Sequence, residues 1–164
     1  MLIDNAGNLV ASRLPAPTAE MQRTALREAA QLYARRGWTG ISNVSTSAAE
    51  LANFEALAQA GEMPLHASLY LEPGDSDALF ERGPYVDATG LVHVRGVKLY
   101  MDGALGSRGA ALLARYSDAN GDGLLVTPVE ELREYLRRAR AGNVQVGTHA
   151  IGDRGNRHFG HAEP

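Results

Sequence analysis

Two short stretches hold the residues with chemistry to do. Val97-Lys98-Leu99 sets a lysine inside an apolar strand. The chain then passes Tyr100, Met101 and Asp102 into a glycine-rich loop, Gly103-Ala104-Leu105-Gly106-Ser107-Arg108-Gly109. Further on, Val144-Gln145-Val146-Gly147-Thr148-His149 is a second strand, ending in a histidine and followed by Ala150-Ile151-Gly152-Asp153. Lysine is rarely buried without a partner. Lys98 therefore sits at an exposed sheet edge, where lysines are common, or it is a functional group. His149 is either a hydrogen-bonded structural residue or a ligand. Alternate side chains of a strand share a face, so Lys98, Tyr100 and Asp102 have one parity. Gln145, Gly147 and His149 share another, with Val144 and Val146 turned outward against helices. Small and polar residues on that face suit a barrel interior or a site at the strand's C-terminal end.

Those strands need a scaffold, and composition bounds it. The chain has 164 residues, 45% of them hydrophobic, enough for a sizeable core in one domain spanning residues 1–164. The formal net charge is −3 with no basic block, which gives no reason to expect a nucleic-acid partner. There is no cysteine, so disulfides and thiolate metal sites are excluded. Met1 to Leu14 lacks the charged and apolar regions of a signal peptide, an expectation of a cytoplasmic protein. No apolar run approaches the roughly 20 residues of a membrane span.

In chain order, turns are expected at Asn5-Ala6-Gly7-Asn8 and a stop at Pro15 and Pro17. Thr18 caps a helix to about Arg36, with Met21, Ala25, Ala29, Leu32 and Tyr33 as its apolar stripe. A strand follows at Trp38 to Val44. Ser47 and Glu50 make a capping box for a helix that ends at Gly61. Pro64 to Leu71 alternates as a strand, Ser76 to Glu81 is a short helix, and Val92 to Met101 is the lysine strand. A long connection reaches Val126. Thr127, Pro128 and Glu130 then start a helix with Val129, Leu132, Leu136 and Ala139 on its buried face. Asp153 is the N-cap of the helix after His149, while Gly160 and Pro164 argue against a firm helix around His158 and His161. His66 and His93 read as structural. Regular alternation of helix and strand predicts an α/β fold with a parallel sheet, whose active site would lie at strand C-terminal ends if the sheet belongs to a barrel.

The stretches Val97-Lys98-Leu99, Asp102-Gly103, Leu105-Gly106-Ser107-Arg108 and Thr148-His149-Ala150-Ile151-Gly152-Asp153-Arg154, in this order, resemble amidohydrolase family 3. These are metal-dependent hydrolases that include N-substituted formamide deformylases. The helix from 18 to 36 and the strand Gly40-Ile41-Ser42-Asn43-Val44 resemble the family more loosely, so the likeness runs from about Leu14 to Arg157. It implies a partial TIM-type β/α barrel, about strands two to five of eight, since a whole barrel takes roughly 250 residues. The family's His-x-His pair is absent, and its sixth-strand histidine and eighth-strand aspartate would fall beyond Pro164. The tail from Arg157 to Pro164 also departs from the family pattern.

The resemblance further implies hydrolysis of non-peptide carbon–nitrogen bonds in a small-molecule amide by metal-activated water. Zinc is the expected metal, His149 a ligand, and Lys98 a second ligand if carboxylated to a carbamate. By position, Asp102 and Arg108 would shape the substrate pocket. With only Lys98 and His149 as ligands, the chain alone is expected to bind metal weakly or not at all and to be inactive. Lys98 and His149 should lie on neighbouring parallel strands, facing the concave side, and open sheet edges should favour self-association. Two other readings compete. Asp118, Asn120, Asp122 and Gly123 match positions 1, 3, 5 and 6 of a calcium-binding EF-hand loop, with helices expected at 108 to 116 and 128 to 141. Val129 stands, however, where the loop needs glutamate. The glycine-rich loop could also cradle a phosphate, although it lacks the P-loop pattern. A non-catalytic remnant is the remaining possibility.

Overall fold

The computed structural model describes residues 10, 12–15 and 17–162. The Asn5–Asn8 turn and Pro164 lie outside them. The elements are α1 (Ala19–Arg35), β1 (Gly40–Thr46), α2 (Ala48–Gln59), β2 (His66–Leu71), a 3-10 turn (Pro73–Asp75), α3 (Asp77–Arg82), β3 (Tyr85–Val86), β4 (Val92–Tyr100), α4 (Val129–Ala141), β5 (Gln145–His149) and α5 (Asp153–Ala162). The strands form one five-stranded sheet in the order β1-β2-β4-β3, with β5 also paired to β4. β1 and β2 are parallel, as are β2 and β4, and β3 joins the start of β4 in antiparallel fashion. This is the α/β architecture that helix–strand alternation predicts, with β3 as an addition too short to leave a periodic signal.

Contacts between Cα atoms divide the chain into two compact units, and the division falls inside β4, α4 and β5. The first comprises Pro17–Lys98 and Arg138–Gly147. Its helix ends follow local chemistry. The Thr18 hydroxyl accepts from the Met21 N–H at 3.2 Å. Ser47 and Glu50 form the reciprocal capping box, Glu50 accepting from the Ser47 N–H at 2.8 Å and the Ser47 hydroxyl accepting from the Glu50 N–H at 3.3 Å. One expectation fails. Met21, Ala25, Ala29, Leu32 and Tyr33 of α1 are all exposed, and Ala30 is the helix's buried residue. Between α1 and α2 the Asn53 amide donates to Gln22 Oε1 at 3.4 Å, in a cleft that Leu26 and Phe54 also line.

The sheet in this unit buries one face. Ala67, Leu69 and Leu71 of β2 are almost fully inaccessible. The core positions of β4 change phase: Val92 and Val94 are buried, and then Val97. The register explains why. Leu69 pairs with Val94 but Tyr70 pairs with Gly96, so Arg95 is an extra residue on β4. A β-bulge of this kind switches the alternation of every residue after it. Without it Lys98 would share the buried face of Val92 and Val94; with it, Lys98 has the parity of Gly96 and lies on the face of Tyr70. β1 carries a matching irregularity. Val44 pairs with Tyr70 and Thr46 with Leu71, leaving out Ser45, whose φ is 63°. Both strands flanking β2 therefore bulge beside Tyr70, and Thr46 is turned into the core with no exposed surface.

The opposite face is small and polar. The Tyr70 hydroxyl donates to Gln145 Oε1 at 2.8 Å. A Cβ on Gly96 would lie 2.8 Å from the Tyr70 ring and would strike the Gln145 carbonyl, while one on Gly147 would come within 3.9 Å of Lys98 Cδ. Gly96 thus adjoins Gln145, and Lys98 adjoins Gly147. Contacts that advance together along both strands make β4 and β5 parallel.

These contacts set two expected outcomes. Gly96→Ala overpacks the Tyr70–Gln145 layer and should lower unfolding free energy by about 1–3 kcal/mol in urea titration; an unchanged midpoint would contradict the packing described. Ser47→Ala removes the acceptor of the capping box and should cost about 1 kcal/mol by the same measurement, with the slope unchanged.

Candidate active site

The second unit comprises, among the described residues, those before 16 together with 99–137 and 148–162, and it holds the ends of β4 and β5 with the loops that follow them. The Met101 N–H donates to the His149 carbonyl at 2.8 Å, and the Val126 N–H donates to the Met101 carbonyl at 2.8 Å. The next residue, Asp102, is buried, with a side chain that has no exposed surface. Its carboxylate accepts three backbone N–H bonds: Ile151 to Oδ1 at 2.9 Å, and Ala111 and Gly152 to Oδ2 at 2.9 and 2.7 Å. A carboxylate is an acceptor-only group with room for several donors, so one side chain ties the loop after β4 to the loop after β5.

The glycines of both motifs make that clasp possible. A Cβ on Gly152 would overlap the Ala111 carbonyl, and one on Gly155 would sit 2.8 Å from Asp102 Oδ2. The segment from 103 to 126 has its own internal order. Gly103 and Gly109 exchange N–H bonds with the Gly109 and Ala104 carbonyls at 3.1 and 2.9 Å, and the Leu112 N–H donates to the Asp122 carbonyl at 2.7 Å. The start of α5 is sewn to it. Asp153 Oδ1 accepts from the Leu113 N–H at 2.8 Å, and the Arg154 guanidinium donates to the Asp122 and Gly123 carbonyls, each at 3.1 Å. Asp153 is thus the first residue of α5 and not a cap outside it, and α5 continues through Gly160, contrary to the sequence expectation.

His149 stands at the end of β5, partly buried. Its Nε2 lies 3.3 Å from the Gly103 carbonyl oxygen and 3.8 Å from Asp102 Oδ1, and its ring is 5.6 Å from that of Tyr100. Tyr100, Asp102, Gly103, Leu124, Val126 and His149 are among the walls of a 520 Å³ cavity. The apolar wall from Leu124 to Val126 was not singled out in the sequence, where it reads only as the end of a long connection.

The remaining sequence candidates are placed as follows. Asp102 and His149 come together. Arg108 does not join them: its guanidinium makes a two-pronged contact with Asp118, Nε to Oδ1 at 3.2 Å and Nη2 to Oδ2 at 2.9 Å, in a separate cleft with Leu105, Leu112 and Tyr116. Lys98 belongs to the first unit, half-buried on the open face of β4. Burial lowers its pKa below the ordinary lysine value, favouring the neutral amine. His93 uses both ring nitrogens locally, Nε2 against the Gly90 carbonyl and Nδ1 against Arg95, each at 3.1 Å, as a structural residue does. The EF-hand reading is corrected. Residues 108 to 116 form no helix, Asp118 is held by Arg108, and Asp122 lies 3.5 Å from Arg154. A calcium loop needs free carboxylates between two helices. Among the described residues no cluster of three histidine, aspartate or glutamate side chains could by itself enclose a metal, and no helix is long and apolar enough to cross a membrane.

Over residues 1–160 the chain matches the sequence profile of the amidohydrolase family. It is 29% identical over 163 residues to the putative amidohydrolase YtcJ of Bacillus subtilis, covering 93% of this chain but 30% of that protein. A 66-residue stretch is 39% identical to the LONG AFTER FAR-RED 3 protein of Arabidopsis thaliana, covering 40% of this chain and 11% of that one. Among solved structures, an uncharacterized metal-dependent hydrolase from Pyrococcus horikoshii superposes with a TM-score of 0.84 at 28% identity, over 96% of this chain and 32% of that one. One from Pyrococcus furiosus gives 0.82 at 26% identity, over 96% and 34%. The chain spans about a third or less of the length of each of these relatives. Matching that profile over nearly its whole length, the chain belongs to the amidohydrolase family.

Proposed function

We propose that this chain is part of a metal-dependent amidohydrolase barrel that hydrolyses carbon–nitrogen bonds of small amides other than peptides, close to the N-substituted formamide deformylases. The match to the family along nearly the whole chain carries this reading. A bound divalent metal, in our reading zinc, would supply a water of lowered pKa, near 7, as the nucleophile. His149 is the nitrogen ligand this chain offers, and its donor chemistry fits such an ion. Lys98 is proposed as the second ligand through a carbamate. Two features support that role: the bulge at Arg95 keeps its side chain off the buried face, and burial favours the neutral amine that reacts with carbon dioxide. Tyr100 and the Leu124–Val126 wall would border the substrate in the cavity beside His149, with Asp102 shaping that border from within the protein. Arg108 could contact substrate only by leaving Asp118.

A single histidine and a single lysine make an incomplete set, because zinc sites supply three or four protein ligands. The 164-residue chain should therefore show no amide hydrolysis above background; turnover abolished both by chelation and in His149→Ala would overturn this. Calorimetric titration with zinc should find no stoichiometric sub-micromolar site on the chain alone, and finding one would show that the ligand set is complete here. The outer edges of β1 and β5 have no partner strand among the described residues, a basis for self-association through open edges.

A further inference from the structure

The clasp around Asp102 does more than close two loops. Nε2 of His149 faces two oxygens, the Gly103 carbonyl at 3.3 Å and Asp102 Oδ1 at 3.8 Å. A carbonyl oxygen only accepts, so the proton of this contact is on the ring nitrogen. A neutral imidazole protonated at Nε2 keeps its lone pair on Nδ1. Both sides of the contact are fixed by bonds that Asp102 makes or adjoins. Gly103 is its neighbour in sequence, and the peptide after Asp102 cannot turn without dragging a carboxylate held by three N–H groups. On the other side, the His149 carbonyl is held by the Met101 N–H, while Ile151 and Gly152 bind Asp102 directly.

We propose that Asp102 is the positioning residue of His149: by clasping the loops after β4 and β5 it aims the Gly103 carbonyl at Nε2–H, holding the ring in one orientation and one tautomer with Nδ1 as its donor atom. Metal-binding histidines generally give their second ring N–H to a carbonyl or carboxylate, which sets the tautomer and ring angle. The consequence for metal binding rests on the reading of His149 as a ligand; the orientation and tautomer do not.

Nitrogen-15 NMR of the chelator-treated chain, at a pH where the ring is neutral, tests this. The wild-type His149 ring should show a pyrrole-type Nε2, a pyridine-type Nδ1 and an Nε2–H proton protected from exchange. In Asp102→Ala that protection should fall at least about tenfold while amide protection in the middle of β2 persists. Should Asp102→Ala fail to fold, Gly155→Ala presses a methyl group against Asp102 Oδ2 and keeps the carboxylate; it should loosen the same proton to a smaller degree. A pyrrole-type Nδ1 in the wild type overturns the proposal. So does an equally protected Nε2–H in folded Asp102→Ala, which would leave Asp102 a structural clasp alone. Metal content of the parent enzyme carrying His149→Ala separates the two ideas. If it is undiminished the ligand reading fails, while the NMR result decides the positioning role.

Discussion

A single buried carboxylate organises the loops around His149. Asp102 has no exposed side-chain surface, and a charge removed from water is tolerated only when its lone pairs are met. Three backbone N–H groups meet them, from Ala111 in the loop after β4 and from Ile151 and Gly152 after β5. Each of those donors would otherwise be short of a partner near the start of a helix or in a loop. The carboxylate and the loops are therefore mutually dependent: removing the acceptor strands three donors, and moving either loop strands the charge.

The same dependence explains why the surrounding residues are so small. Gly152 and Gly155 leave no room for a Cβ, one against the Ala111 carbonyl and the other against Asp102 itself. Gly103 and Gly109 approach each other within the glycine-rich loop, where a Cβ on Gly103 would lie 3.1 Å from the Gly109 Cα. A loop of this composition would ordinarily be mobile. Here it is pinned by its own backbone bonds, and the segment after it is held at Leu113 by Asp153 and at Asp122 and Gly123 by Arg154. Asp102 and Arg108 thus share a motif while having different surroundings, one satisfied by buried amides and the other paired with Asp118 at the surface.

In the other unit the governing constraint is the phase of β4. The extra residue at Arg95 lets Val92 and Val94 pack on one face and still places Lys98 on the other. Tyr70 occupies the space left by Gly96 and is held there by Gln145. A lysine beside such a layer is partly desolvated, and the shift toward its neutral form follows from that burial.

Apart from the two-residue β3, the order of helices and strands, the caps at Thr18 and Ser47, and the two motifs around Lys98 and His149 could be read from the sequence, because each depends on neighbours a few residues away. The family resemblance was legible too, since it rests on short runs of adjacent residues. The bulge left a trace, apolar residues on even numbers at Val92 and Val94 and on odd numbers from Val97, with Arg95 and Gly96 at the change. Read as one uninterrupted strand, that trace passes unnoticed. Other features were decided only in three dimensions. The stripe on α1 is apolar by period, yet which face is buried depends on where α2 lies. The EF-hand pattern from Asp118 to Gly123 is local, but Arg108 and Arg154 reach it from outside the motif. Asp102 is a pocket residue by position in the sequence, and it does line the cavity beside His149, but what holds it is not local. Its donors Ala111, Ile151 and Gly152 are distant in sequence, and only folding brings their N–H groups to one carboxylate.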